Sequence, residues 1–132
     1  MNLIGVDIVE VQRIERLVQD WNSRFLNRIY SEEELIYCNG RSDRLAGRLA
    51  AKEAVLKALG SSSTGISWKE IQILNRPRSA PVISLSGKAK EKSIILAMDH
   101  LVVSISHTDD IAIAFVMGST NENCYRPTDE DN

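Results

Sequence analysis

Long apolar runs, clustered cysteines and the common catalytic signatures are all missing from this chain, and each absence removes a class of function. No stretch approaches the ~18 apolar residues needed to cross a bilayer, and the N-terminus lacks the basic-then-apolar pattern of a secretory signal. The expectation is a cytoplasmic protein with no membrane role. Cysteine occurs twice, at Cys38 and Cys124, far apart and with no C-x-x-C, so neither a zinc site nor a disulfide framework is indicated. A glycine-rich phosphate loop, G-x-S-x-G, H-E-x-x-H and internal repeats are absent. Motif-based readings as a P-loop hydrolase, a serine hydrolase or a zinc protease therefore fall away.

What remains is an ordinary globular composition. The 132 residues, 43% hydrophobic and 26% charged, suit one domain with a real core. The net charge of −2 is unevenly spread: the last sixteen residues hold Glu122, Asp129, Glu130 and Asp131 against Arg126, and without them 14 acidic and 15 basic residues remain. Such a balance is not that of a nucleic-acid binder. Arginines nevertheless gather early, at 13, 16, 24, 28, 41, 44 and 48, which fits either an acidic protein partner or solvated helix faces.

The chain is organised around Gly47–Gly60, its most helix-prone stretch. At ~100° per residue Leu45, Leu49, Leu56 and Leu59 share one arc, with Lys52 inside it and Glu53 on its edge. Lys57 follows Glu53 by one turn, and Ala46, Ala50 and Ala54 keep that flank thin enough for another backbone to approach. Gly60 is placed as a C-terminal cap. Glu53 and Lys57 are either a surface ion pair or part of a site, for a carboxylate half sunk beside leucines needs a cation or a bound phosphate group as partner.

Around this helix, Leu3–Ile8 alternates as a short strand with Asp7 at its end, and a helical stripe through Val11, Ile14, Leu17 and Val18 predicts a helix to about Asp20. Ser31 and Glu34 form a capping box that starts a second helix, Asn39-Gly40 breaks it, and Asp43 is placed to cap the central one. A polar loop, Ser61 to Gly65, follows. Hairpins are predicted from Trp68–Leu74 with Val82–Leu85, and from Leu101–Ile105 with Ile111–Met117, separated by a helix that Ser86 caps and that runs to about Met98. His107 lies in the polar tip of the second hairpin. Residues 1–117 then make the domain, and 118–132 a polar, acidic tail with no part in the core.

Four segments, IGVDIVEVQRI (4–14), RFLNRIYSEEE (24–34), LAGRLAAKEAVLKALG (45–60) and VSISHTDDIAIAFV (103–116), resemble the holo-acyl-carrier-protein synthases, the short group of 4′-phosphopantetheinyl transferases. The pairing of G-x-D near the start with R-x-x-A-K-E-A-x-x-K-A-x-G carries the likeness. The resemblance implies an α+β fold, a mostly antiparallel sheet wrapped by a long helix, assembled as a homotrimer with active sites between subunits. It implies transfer of the phosphopantetheine arm of coenzyme A to a serine of acyl carrier protein, with release of adenosine 3′,5′-bisphosphate, in fatty acid biosynthesis. Carried over by position, Asp7 and Glu53 are the Mg²⁺ ligands; by its chemistry Glu53 is the expected acceptor of the serine proton, directly or through a metal-bound water. Lys57 binds phosphate and takes part in catalysis, and Gly60 and His107 contact coenzyme A, His107 from a neighbouring subunit. Arg13, Arg24 and Arg28 face the carrier protein. Val9 is apolar where the larger relatives with two fused halves carry a third acid, which fits the short group.

Overall fold

The alternation read in the first strand decides the architecture. In the computed structural model, which describes residues 2–60 and 65–120 apart from the side chains of Trp21, Asn22 and Asp99, β1 runs Asn2–Glu10. Its Gly5 and Val9 are buried, while Ile4, Val6 and Ile8 point away on the opposite face. Four further strands, β2 Ile71–Leu74, β3 Val82–Leu85, β4 Met98–His107 and β5 Ile111–Thr120, complete one antiparallel sheet in the order β1-β5-β4-β3-β2. The register Asp7↔Ala114↔Ile105 and Val9↔Ala112↔His107 fixes which side chains share a level across three strands.

Helix α1 spans Val11–Ile29, α2 Glu32–Cys38, α3 Ser42–Leu59 and α4 Gly87–Ile95. The core lies between α3 and the inner face of the sheet, where Leu45, Leu49, Val55 and Leu59 meet Val9, Val103, Ala112, Ala114 and Val116. The expected α+β class and the sheet wrapped by a central helix are what is found. None of the described helices is long and apolar enough to cross a membrane.

Two small-residue contacts set the path of α3. A Cβ built on Gly5 would overlap the carbonyl oxygen of Ala54 and lie 2.8 Å from its carbon, so only glycine lets this helix lie on β1. Gly47, two to three turns earlier, faces Ile105 of β4. The helix therefore crosses the sheet obliquely, its first turns over β4 and its last over β1.

Several boundaries differ from the sequence expectation. The first helix continues past Asp20 to Ile29, because Phe25, Leu26 and Ile29 renew the apolar stripe after a polar interval and Phe25 stands edge-on to the buried Tyr30, ring centres 6.2 Å apart. Arg41, not Asp43, occupies the cap of α3; the Asp43 carboxylate takes the Arg41 guanidinium at 2.7 and 3.2 Å and lies in the first turn, where the helix dipole favours it. Residues 68–70 form a 3₁₀ turn ahead of β2 rather than strand. Ser86 stands at the N-cap of α4 as expected, its carbonyl accepting from Lys90 N at 3.2 Å, but its hydroxyl makes no capping bond; the Glu70 carboxylate supplies that, accepting from Ala89 N at 3.1 Å. That helix ends at Ile95, because Ala97 turns into positive φ before β4. The last strand extends three residues beyond Met117, since Gly118 and Ser119 pair with Leu3 and Asn2 through backbone groups that need no apolar side chain. Residues 61–64 of the polar loop and 121–132 of the tail, Cys124 included, lie outside the described residues.

Candidate active site

The capping box sits at the head of a buried network. Ser31 Oγ accepts from Glu34 N at 3.3 Å and Glu34 Oε1 accepts from Ser31 N at 3.0 Å. The same Oε1 receives Lys52 Nζ at 2.8 Å, and Oε2 receives Ile73 N at 3.2 Å. Lys52 also donates to the carbonyls of Trp68 and Ile71, at 3.1 and 2.5 Å. Both side chains are wholly buried, so burial lowers the Lys52 pKa while Glu34 opposes it. This pair answers the anomaly of a lysine among leucines: it ties α2, α3 and β2 together.

With Lys52 anchored on one side of α3, Glu53 and Lys57 emerge on the side facing β1. The close Gly5–Ala54 approach brings them to Asp7, two residues along the strand. Lys57 Nζ bonds Asp7 Oδ1 at 2.8 Å and the Val6 carbonyl at 3.0 Å. Its side chain is 58% exposed, that of Asp7 only 11%. Asp7 Oδ2 is buried with no hydrogen-bond partner among the described residues. Burial first, and then the adjoining Asp7 carboxylate, push Glu53 up to about 7, partly offset by Arg13 and Lys57. The hydrogen bond to Asp7 raises Lys57.

Two carboxylates forced together beside an unsatisfied oxygen suit a hard divalent cation. Among the described residues no group of three or more His, Cys, Asp or Glu could hold a metal ion. A pair is nevertheless enough for a cation that keeps several waters and takes further oxygens from phosphates. Gly60 ends α3 at φ 97° and ψ 164°, a conformation close to glycine-only, so the chain leaves Lys57 through a turn that a side chain would strain.

His107 is exposed at the end of β4 and is not part of this cluster. It lines a cleft of about 350 Å³ with Tyr37, Arg41, Asp43, Arg44, Arg48 and Asn75. From Arg44 to Glu53 is nine residues of helix, about 13 Å. Within one chain the histidine and the carboxylate pair are thus separate.

The cleft as a set was not legible in the sequence, although its arginines were. Spacing of three and four residues puts 41, 44 and 48 on one face, and Tyr37 gathers two of them: the Arg48 and Arg44 guanidiniums sit 4.0 and 4.9 Å from its ring centre. Arg48 also bonds Asn75 Oδ1, while its buried Nε has no hydrogen-bond partner among the described residues. Arg24 and Arg28, one turn apart on α1, line a second groove of about 340 Å³ with Leu17 and Phe25. Arg13 lies nearer the carboxylates, close enough to favour the charged form of Glu53. Cys38, buried and pushed up to about 11, stays a protonated thiol.

Known proteins resemble this chain over most of its length. The family model of the 4′-phosphopantetheinyl transferase superfamily matches residues 3–116. A holo-[acyl-carrier-protein] synthase of Dehalococcoides mccartyi (strain CBDB1) is 44% identical over 86% of this chain and 94% of its own, and one from Herpetosiphon aurantiacus is 40% identical over 89% and 98%. The crystal structure of the Helicobacter pylori holo-[acyl-carrier-protein] synthase in complex with coenzyme A superposes with a TM-score of 0.79, at 39% identity, over 89% of this chain and all of that one. A match running through both the strand that carries Asp7 and the helix that carries Glu53 and Lys57 leaves one assignment: the chain belongs to the holo-acyl-carrier-protein synthase family of the 4′-phosphopantetheinyl transferase superfamily.

Proposed function

We propose that this chain transfers the 4′-phosphopantetheine arm of coenzyme A to a serine hydroxyl of apo-acyl carrier protein, with Mg²⁺ held by Asp7 and Glu53, in a homotrimer whose active sites lie between subunits. The observation that carries the reading is the cluster itself: two carboxylates at one point, a buried Asp7 oxygen with no hydrogen-bond partner among the described residues, and an ammonium within reach.

Asp7 and Glu53 offer hard oxygen donors, and the coenzyme A diphosphate offers more. Bound there, Mg²⁺ would neutralise the diphosphate and make the attacked phosphorus more electrophilic. Lys57, on a flexible and mostly exposed stem, turns from Asp7 to a phosphate oxygen and offsets charge that develops as the leaving bisphosphate departs. The serine Oγ–P bond forms as the P–O bond to adenosine 3′,5′-bisphosphate breaks, and the serine proton passes to Glu53. Arg24 and Arg28, with Leu17 and Phe25 between them, form a basic groove with an apolar floor that fits an acidic amphipathic helix of the carrier, and Arg13 lies between that groove and the reacting centre.

Two features support a site shared between subunits. The outer sheet face exposes Ile4, Ile8, Val102, Phe115 and Met117 together, an apolar surface larger than scattered residues make and suited to burial against other copies. The cleft with His107, Arg41, Arg44 and Arg48 suits the phosphorylated nucleotide end of coenzyme A, but its α3 residues Arg44 and Arg48 stand about 13 and 7 Å along the helix from Glu53 in the same chain. A neighbouring copy could supply that cleft, and His107, to the carboxylates of this one. Incubation with apo-acyl carrier protein, coenzyme A and Mg²⁺ tests the reading by intact mass: a phosphopantetheine adduct is expected, and an unmodified carrier under conditions where a known relative modifies it would contradict it.

A further inference from the structure

The ammonium needed on a phosphate is held by the carboxylate needed for the metal. Among the described residues Lys57 Nζ has two partners, Asp7 Oδ1 at 2.8 Å and the Val6 carbonyl at 3.0 Å, both on β1. A divalent cation at the free Oδ2 of Asp7 and the ammonium on Oδ1 of the same carboxylate oppose each other, because two cations a few ångströms apart in a half-buried site repel. Asp7 is 11% exposed and fixed in a strand, so it cannot turn away; Lys57 is 58% exposed on a four-carbon stem and can leave without moving α3. It leaves most readily for another anion. We propose that Lys57 is a stand-in cation on Asp7, competing with the divalent metal until a phosphate of coenzyme A draws it off, so that the two ligands bind cooperatively; this rests on the reading of Asp7 and Glu53 as metal ligands.

The consequence has an unusual sign: removing a positive side chain that the reaction needs tightens metal binding. Linkage makes the effect reciprocal, so metal favours coenzyme A by the factor with which coenzyme A favours metal. An ion pair this exposed is weak, and its loss together with the loss of a neighbouring charge gives about a tenfold change.

Mn²⁺ binding followed by electron paramagnetic resonance on the full chain, with and without coenzyme A, tests this. In the absence of coenzyme A, Lys57→Met should bind Mn²⁺ about tenfold more tightly than the wild type, Lys57→Arg should behave as the wild type, and Lys90→Met on α4 should change nothing. Coenzyme A should then tighten Mn²⁺ binding less in Lys57→Met than in the wild type. Equal or weaker binding by Lys57→Met, or an equal gain in Lys90→Met, would overturn the stand-in role while leaving the metal site in place. Mn²⁺ binding that survives Asp7→Asn, or that is absent even with coenzyme A, would overturn the metal site and the proposal with it.

Discussion

Replacing Gly5 by alanine adds one carbon at the closest approach between β1 and α3. That carbon would lie 2.8 Å from the Ala54 carbonyl carbon and 3.0 Å from Ala58 N, and it would overlap the Ala54 oxygen. Ordinary carbon–carbon contact is about 3.5–4.0 Å, so the two backbones must part by ~1 Å. Backbone cannot rotate away as a side chain can, and overpacking of this kind costs about 1–3 kcal/mol. At roughly 4 °C per kcal/mol for a chain of this size, the melting temperature should fall by about 4–12 °C. The larger effect is on the site, since Asp7 is on the strand and Glu53 and Lys57 are on the helix: a displacement of ~1 Å can lower turnover about 100-fold in protein that is still folded. Thermal melts by circular dichroism, with transfer to apo-acyl carrier protein measured well below the midpoint, separate the two losses. Gly47→Ala is the comparison, because its Cβ would meet only the Ile105 Cγ2 at 3.0 Å, which can shift. A Gly5→Ala variant with the melting temperature and turnover of the wild type would refute the claim that this contact places the carboxylates.

Three more expectations follow from the same geometry. Lys52→Met should destabilise the fold by about 3–5 kcal/mol in chemical denaturation, because it leaves the Glu34 carboxylate buried without its cation; a loss under ~1 kcal/mol would mean the pair acts as a surface pair does. Glu53 is an acid raised from 4.5 to about 7, so the folded state holds its proton more tightly than the unfolded. Stability of the protein in chelator should therefore fall as pH rises through 4.5 to 7, with the cost full above about 7, and Glu53→Gln should flatten that slope; parallel melting curves for the two proteins would contradict it. Glu53→Ala and His107→Ala subunits, each inactive alone, should regain part of the transfer activity when co-expressed as mixed oligomers verified by native mass spectrometry; verified mixtures no better than their parents would return both residues to one chain's site.

Much of the fold was legible because it rests on local chemistry. Alternation gave β1 and the two hairpins, the Ser31/Glu34 capping box gave the start of α2, and the glycine at 60 gave the end of α3. What escaped depends on contacts distant in sequence. The second half of α1 is held by Phe25, Ile29 and Tyr30 rather than by its own polar residues, and the side-chain bond that caps α4 comes from Glu70 and not from the N-cap Ser86. For the site, Lys52 stood inside an apolar arc, but nothing near it in sequence pointed to its partner Glu34, 18 residues away. Asp7 with Glu53 and Lys57 emerged only from the likeness to a family, since spacing alone left the helix pair open to a surface reading. The arginine cleft needed α2, α3 and the turn at Asn75 to be placed together before its residues could be seen as one surface.

The central claim is that Asp7 and Glu53 act jointly as the metal-binding centre of a transferase. It is tested most directly by Asp7→Ala and Glu53→Ala at saturating Mg²⁺, each checked for native folding by circular dichroism, with the carrier product followed by intact mass. Both variants should leave the carrier unmodified over times in which the wild type converts it fully, because losing either ligand removes the charge that organises the diphosphate. Near-normal conversion by Glu53→Ala would contradict the account.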